Sequence, residues 1–439
     1  MFSTPIKGKN MKKGKVPLHK IRITPDHADG LYTVGEKATF KVEYFRKGKT
    51  FPGQKIEAFF HHMDYSKKSR KRITFLSGRS KKITIRLERP ASTILEVILT
   101  GKSGAPLRRK NNSGHREKLS FSCGVLASPE KCLPAREEPS DFDAFWEAEK
   151  KKLASIPLEI LEKCPVCLPE EAKEKFLAWD MKISCAGPAP VSGYLTMPEE
   201  AAEGKKKLPV VVSYHGGGVR SSVLHFRENA ITFDVNAHGI VNGKEPEYYL
   251  ALSRNELKDY IHRGQKDRET YYFRWMYLRI FRSLEFVRTL PEWNGKDLIV
   301  VGGSQGGAQT LVAAGMDPHV TLAHSWVPAI CNLNNFDKRR PSSWPWPFCG
   351  TEPGKEDWEK VASCVPYFDA VNFARRIHCE IFLSAGLLDT ICPPENVFAA
   401  WNVIPSSGKS MYTHYDKGHL EASNPLFPAR LEEILSGKK

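Results

Sequence analysis

No stretch of this chain approaches the roughly 18 consecutive apolar residues that a membrane-spanning helix needs. The segment Met1 to Lys15 is basic but lacks the apolar core of a secretory leader. A cytoplasmic protein without membrane contact is therefore expected; a trimmed leader would instead make it periplasmic or secreted. Cysteine spacing is equally uninformative, because ten cysteines are scattered through 439 residues. That excludes a dense disulfide scaffold and makes reduced thiols the simplest reading. Cys164-Pro165-Val166-Cys167 has metal or redox spacing, yet no second Cys-x-x-Cys or His pair accompanies it. A packed linker feature or a surface pair is expected there, and no metal.

Acidic residues are scarce at the start: residues 1–120 hold 9 of them against 29 lysines and arginines. The rest of the chain, with 37 basic and 41 acidic residues, is slightly acidic, so the formal net charge of +16 is an N-terminal property. Within the basic part, Thr39 to Phe45, Lys55 to His61, Arg72 to Leu76, Lys82 to Leu87 and Thr93 to Thr100 are short β-prone runs separated by Gly, Ser and Lys clusters. This spacing predicts a small, immunoglobulin-like sandwich. Lys82 and Arg86 alternate with Ile83, Ile85 and Leu87, which puts the charge on the solvated face. Clustered Lys and Arg can displace counterions from phosphates, but solvated strand faces explain them without nucleic acid. A domain that holds a polyanion or polysaccharide fits better. The expected organisation is a disordered head (1–16), the basic β-sandwich (17–126) and an α/β domain with a mostly parallel sheet flanked by helices (127–439).

The α/β part carries the chemistry. Val300-Val301-Gly302-Gly303-Ser304-Gln305-Gly306-Gly307 runs from an apolar strand into a Gly-x-Ser-x-Gly turn, followed by the Ala-rich helical stretch Ala308 to Ala314. Small residues must flank a serine held in so tight a strand-to-helix turn, so this is the pattern of a nucleophile elbow. The helix start aims the Gln305 N–H at a developing oxyanion. A nucleophilic serine needs an acid and a base, which in such hydrolases follow in the order Ser, Asp, His. The strand-like run Glu380 to Ser384 leads to Asp389, and the run Ser410 to His414 leads to His419. Asp389 would orient the ring and His419 would take the serine proton. Upstream, the apolar run Leu208 to Tyr214 ends in His215-Gly216-Gly217-Gly218, whose backbone can approach a tetrahedral intermediate closely; Gly217 is the expected second oxyanion donor. The segment Arg339 to Gly350 is too rich in proline for a helix or central strand and reads as a lid or insertion. Its Trp344 and Trp346 are candidate pocket residues that could stack on sugar rings, although indoles more often just pack such a loop. The helical spacing of apolar residues over Tyr271 to Leu290 predicts a core helix.

Several collinear stretches carry a resemblance: Pro139 to Trp146, Asp267 to Arg274, Gly302 to Gly307, Tyr367 to Arg375 and Gly386 to Pro394. On these, the chain from about Leu133 onward resembles carbohydrate esterase family seven, the acetylxylan esterases and cephalosporin-C deacetylases. The resemblance implies an α/β-hydrolase fold, removal of acetyl groups from acetylated xylo-oligosaccharides or related sugars, and the triad Ser304, Asp389 and His419. It implies an oxyanion hole from the amides of Gly217 and Gln305, no metal and no organic cofactor, and it allows a homo-oligomer. Two departures stand out. Where the family has Arg-Gly-Gln, this chain has Asn236-Ala237-His238-Gly239, and Arg263-Gly264-Gln265 reads as a coincidental match; His419 is followed by Leu420 and only then by Glu421. A serine peptidase of prolyl-peptidase type and a non-catalytic glycan-binding protein are the alternatives.

Overall fold

The computed structural model describes residues 18–63, 71–78, 80–110, 114–338, 341–420 and 422–437. The head expected to be disordered (1–16) and Glu421 lie outside the described residues. The chain forms two compact units. One takes residues up to Cys132 together with the segments Gly386–Glu395 and Thr413–Glu421; the other takes Leu133–Ala385, Asn396–Tyr412 and Ala422–Lys439.

The first unit contains eleven strands among the described residues: β1 (His19–Pro25), β2 (Leu31–Tyr32), β3 (Lys37–Arg46), β4 (Lys49–Thr50), β5 (Lys55–His62), β6 (Lys71–Leu76), β7 (Lys81–Arg86), β8 (Ser92–Leu99), β9 (Arg108–Lys110), β10 (Arg116–Lys118) and β11 (Ser120–Ala127). One sheet runs β1-β3-β4 with β7 on β3, a second runs β2-β11-β8-β5-β6, and β9 and β10 form a ribbon. Period-two alternation makes the sandwich. In β3, Ala38, Phe40, Val42 and Tyr44 point inward and meet Ala58, Phe60, Leu95, Val97, Cys123 and Val125 of the other sheet. Burying one ring such as Phe40 stabilises by about 2–3 kcal/mol. The five strands expected from the sequence are β3 and β5 to β8; β11 falls where the charge pattern placed a domain boundary.

In the second unit, apart from Gly386 and Thr413–His414 at the ends of the last two, the strands are β12 (Ile160–Pro165), β13 (Phe176–Ile183), β14 (Val191–Pro198), β15 (Leu208–Tyr214), β16 (Ile231–Val235), β17 (Trp293–Gly303), β18 (Leu322–Trp326), β19 (Glu380–Gly386) and β20 (Lys409–His414). They form one sheet in the order β12-β13-β14-β16-β15-β17-β18-β19-β20. The first pairings are antiparallel, and β16 through β19 run parallel. The parallel strands read as near-continuous apolar runs because both faces are covered. On one face Val211, Ile299, Leu322 and Phe382 meet Phe427, Leu431 and Leu435, which recur every fourth residue along the C-terminal helix Phe427–Leu435. The expected core helix is Tyr272–Arg288.

Three of the family-like stretches come together in this unit. Arg268 donates to Asp141 Oδ2 (2.7 Å) and lies over the rings of Phe145 and Tyr367. The Tyr367 hydroxyl donates to Asp141, and Trp146 Nε1 donates to the Tyr367 carbonyl. Arg274 forks onto buried Glu149 at 2.7 and 3.0 Å.

His324 sits in β18, buried, with its ring stacked on Phe427 at 4.1 Å. Burial pushes its pKa down to about 3. The folded state therefore refuses a proton that the unfolded chain accepts: the contribution is complete above the unfolded pKa and is lost as pH falls below it. Between pH 8 and pH 5 this site is expected to cost about 2 kcal/mol of stability. Urea unfolding at the two pH values checks this. A His324→Leu variant should show a shallower pH slope, and an unchanged slope would remove His324 from the account.

Candidate active site

Ser304 follows β17 and caps the helix Gln305–Met316 with φ 58° and ψ −122°, a region non-glycine residues enter only under strain. The packing leaves no alternative. A Cβ at Gly306 would lie 2.0 Å from the Tyr214 carbonyl oxygen, and one at Gly303 would lie 2.0 Å from Trp326 Nε1. The Ser304 N–H donates to the Trp326 carbonyl at 3.0 Å, and its carbonyl accepts from Ala308 and Ala329 at 3.1 and 2.9 Å. Backbone bonds on both sides thus fix the turn, and the side chain is half-buried.

The glycine loop after β15 lies beside the serine: a Cβ at Gly216 would be 3.6 Å from Ser304 Cβ. Two neutral histidines anchor this loop. His215 Nδ1 donates to the Gly216 carbonyl (2.7 Å) and its Nε2 accepts from the Ala237 N–H (3.2 Å), while burial pushes its pKa down. His238, buried and held well below its usual range mainly by desolvation, donates from Nε2 to the Gly218 carbonyl (3.3 Å) and accepts at Nδ1 from Tyr272 (2.8 Å). Tyr260 joins the loop to the elbow. Its hydroxyl accepts from the Gly218 N–H (3.3 Å) and donates to the Gln305 side-chain oxygen (2.7 Å). Desolvation raises the Tyr260 pKa, so it remains a neutral donor.

Asp389 and His419 form a pair of their own. The Asp389 carboxylate is fully buried in the loop after β19; Oδ1 accepts from the Ile391 and Cys392 N–H groups, each at 2.9 Å. Oδ2 accepts from His419 Nδ1 at 2.8 Å. With its proton on Nδ1, the ring carries its lone pair on Nε2. Cys392 lies close enough for Asp389, Cys392 and His419 to offer three metal-ligand atoms within 4.8 Å. Both carboxylate oxygens are already committed to hydrogen bonds, so the arrangement fits an acid–base pair better than a metal centre.

The proline-rich segment around Trp344 carries no helix or strand between residues 341 and 350. Trp344 packs its ring edge against Gly217, 3.3 Å from where a Cβ would stand, and meets Phe273 edge-on. Trp346 is 40% exposed and points outward. Arg263 of the displaced Arg-Gly-Gln donates to the carbonyls of Glu256 and Lys258, closing its own loop. Beside Asn236-Ala237-His238-Gly239 the buried guanidinium comes from elsewhere: Arg279 donates twice to the Ala237 carbonyl, at 3.1 and 2.8 Å. His215, His238, Tyr260, Tyr272 and Arg279 were not singled out for the site from sequence. They lie apart in the chain without a shared motif, and His215 alone, leading the glycine run, gave a local sign.

A family-level comparison matches residues 126–434 to the description "Acetyl xylan esterase (AXE1)". The chain belongs to the acetyl xylan esterase family. Within reach of that family, "Acetyl esterase Axe7A" of Xylanibacter ruminicola is 29% identical over 400 residues, covering 89% of this chain and 84% of that protein. Among solved structures, an acetyl xylan esterase from Paenibacillus sp. R4 is 25% identical with a TM-score of 0.57, covering 70% of this chain and 98% of the other. Acetyl xylan esterase 1 from Thermoanaerobacterium sp. JW/SL YS485 shares the fold at 21% identity with a TM-score of 0.59, over 71% of this chain and 98% of the other. As a family member the chain has the α/β-hydrolase fold, here preceded by a β-rich region, and is a carboxylic ester hydrolase.

Proposed function

We propose that the protein is a serine carboxylesterase that removes acetyl groups from acetylated xylo-oligosaccharides or related acetylated sugars. The observation that carries this is the strained Ser304 elbow, in a family member whose buried Asp389 holds His419 through Nδ1. Ser304 Oγ attacks the ester carbonyl carbon as His419 Nε2 takes its proton. The carbonyl π electrons move to oxygen, where the Gln305 and Gly217 amides hold the charge. Collapse breaks the bond to the sugar oxygen, which receives the proton from His419. Water then repeats the sequence on the acetyl-enzyme, releasing acetate and restoring the serine. No step needs a metal or an organic cofactor. The peptidase and non-catalytic readings gain no support from the family match.

The test is acetate release from acetylated xylo-oligosaccharide, run beside p-nitrophenyl acetate and a dipeptide chromogen. Activity on both acetyl substrates supports the proposal. Activity on the small ester alone would move the natural substrate elsewhere, and peptide cleavage without ester cleavage would sink it.

The Tyr260 bridge makes a second prediction. Its hydroxyl holds the glycine loop and the Gln305 side chain at once. Tyr260→Phe keeps the ring but leaves the Gly218 N–H and the buried Gln305 side-chain oxygen without that partner, which costs about 1–2 kcal/mol. If the cost falls on the oxyanion geometry, kcat on p-nitrophenyl acetate should drop about tenfold with KM nearly unchanged. Full activity in that variant would assign Tyr260 to packing.

A further inference from the structure

We infer that the N-terminal sandwich positions the acid and the base of the site, and that Gly124 is the positioning residue at the centre of that contact. This rests on the reading of Asp389 and His419 as acid and base. The segments carrying them, Gly386–Glu395 and Thr413–Glu421, belong to the same compact unit as the sandwich, far from it in sequence.

The contact begins at a sheet edge. β11 pairs with β8 along one side, but on the other side β2 covers only Leu126 and Ala127. An edge left open exposes N–H groups that need partners. The Leu126 N–H reaches the Gly30 carbonyl (2.9 Å), and two residues earlier the Gly124 N–H reaches the Tyr415 carbonyl (2.7 Å). The base-bearing segment thus continues the ladder that β2 starts.

Gly124 also admits the acid-bearing segment. A Cβ there would lie 2.2 Å from the Leu387 carbonyl oxygen and 2.6 Å from its carbon. This is backbone against backbone, an approach only glycine allows, and Leu387 stands two residues before Asp389. A Cβ at Gly30 would likewise meet Leu387 Cδ1 at 2.7 Å and Tyr415 Cβ at 3.2 Å.

Side chains extend the contact. The Tyr415 ring packs on the sandwich core, and Thr413 Oγ1 donates to the Asp29 carbonyl at 2.6 Å. The Ser92 N–H donates to Glu395 Oε1 at 2.8 Å. The two segments are tied to each other as well, by the Leu387 N–H to the His414 carbonyl (2.9 Å) and the Leu388 N–H to the Lys417 carbonyl (3.0 Å). Every bond in this set lies within a few residues of Asp389 or His419, and the pair's own 2.8 Å bond depends on the relative setting of the two segments.

The experiment uses the full chain. Gly124→Ala must push Leu387 away, and a displacement of about 1 Å at a reacting group can cost about 10²-fold in rate. The expected result is a fall in kcat of that order on p-nitrophenyl acetate, with KM changed by less than about threefold. Phe40→Leu, in the sandwich core and in none of the bonds just named, serves as the stability control. It should lower the melting temperature at least as much and leave kcat in place. If Gly124→Ala does not fold, Thr413→Val removes one bond of the contact and should lower kcat several-fold. Folded Gly124→Ala or Thr413→Val with wild-type kcat overturns the inference, and so does a Phe40→Leu variant whose kcat falls in step with its melting temperature. The underlying reading fails separately: if His419→Asn keeps its kcat, His419 is not the base, whatever Gly124→Ala does.

Discussion

Ser304→Ala is expected to lose at least about 10⁴-fold in kcat on p-nitrophenyl acetate while folding as the wild type does. The expectation separates chemistry from structure because of how the turn is held. Its bonds to Trp326, Ala308 and Ala329 all use backbone atoms, which alanine retains. The positive φ is no harder for alanine than for serine, so the strain is the same in both proteins. Only the hydroxyl disappears. The melting temperature should stay within about 2 °C, and the organophosphonate adduct seen by mass spectrometry in the wild type should be absent. Residual rate should match what oxyanion donors and binding give without a nucleophile, roughly 10³-fold over water. A variant that keeps a tenth of the wild-type rate would mean that another group attacks the ester.

Much of this was legible in the chain. The strand Leu208–Tyr214 coincides with its apolar run, because a strand covered on both faces is apolar almost throughout, Ser213 being the exception. The elbow was legible for a steric reason: contacts as short as those at Gly303 and Gly306 tolerate no side chain, and the spacing of glycines records them. The sandwich strands β3 and β5 to β8 showed as short β-prone runs between Gly, Ser and Lys clusters, with alternation clear in β7. β11 did not, since the change in charge near Ser120 drew the boundary through it, although Phe121, Cys123 and Val125 alternate toward the core. Charge reports the solvated face and says little about where a sheet ends. The support around the glycine loop was hidden for another reason. Tyr260 and Gln305 come from separate segments, and the hydrogen bond between them leaves no periodic trace in either. Gly124 is the extreme case: its meaning lies wholly in Leu387, far along the chain.

Asp389→Asn is expected to lower kcat by about 10⁴-fold, nearly as much as loss of the nucleophile, although it exchanges one atom. The two backbone N–H groups of Ile391 and Cys392 decide how the new amide lies, since only its oxygen can accept from them. That turns the NH₂ group toward His419 Nδ1, where the carboxylate oxygen stood at 2.8 Å. A donor facing Nδ1 favours the tautomer with the proton on Nε2, and a ring so protonated cannot take a proton from a serine. Asp389→Ala is a poorer test, because it leaves the same two amides unpaired in a buried site and adds a stability loss of about 1–3 kcal/mol. The measurement is kcat and melting temperature for the asparagine variant, with the rate of organophosphonate labelling as a second readout of serine activation. Slow labelling with an intact fold places the acid at Asp389. Labelling at the wild-type rate would take Asp389 out of the mechanism and leave His419 to be oriented by its loop alone.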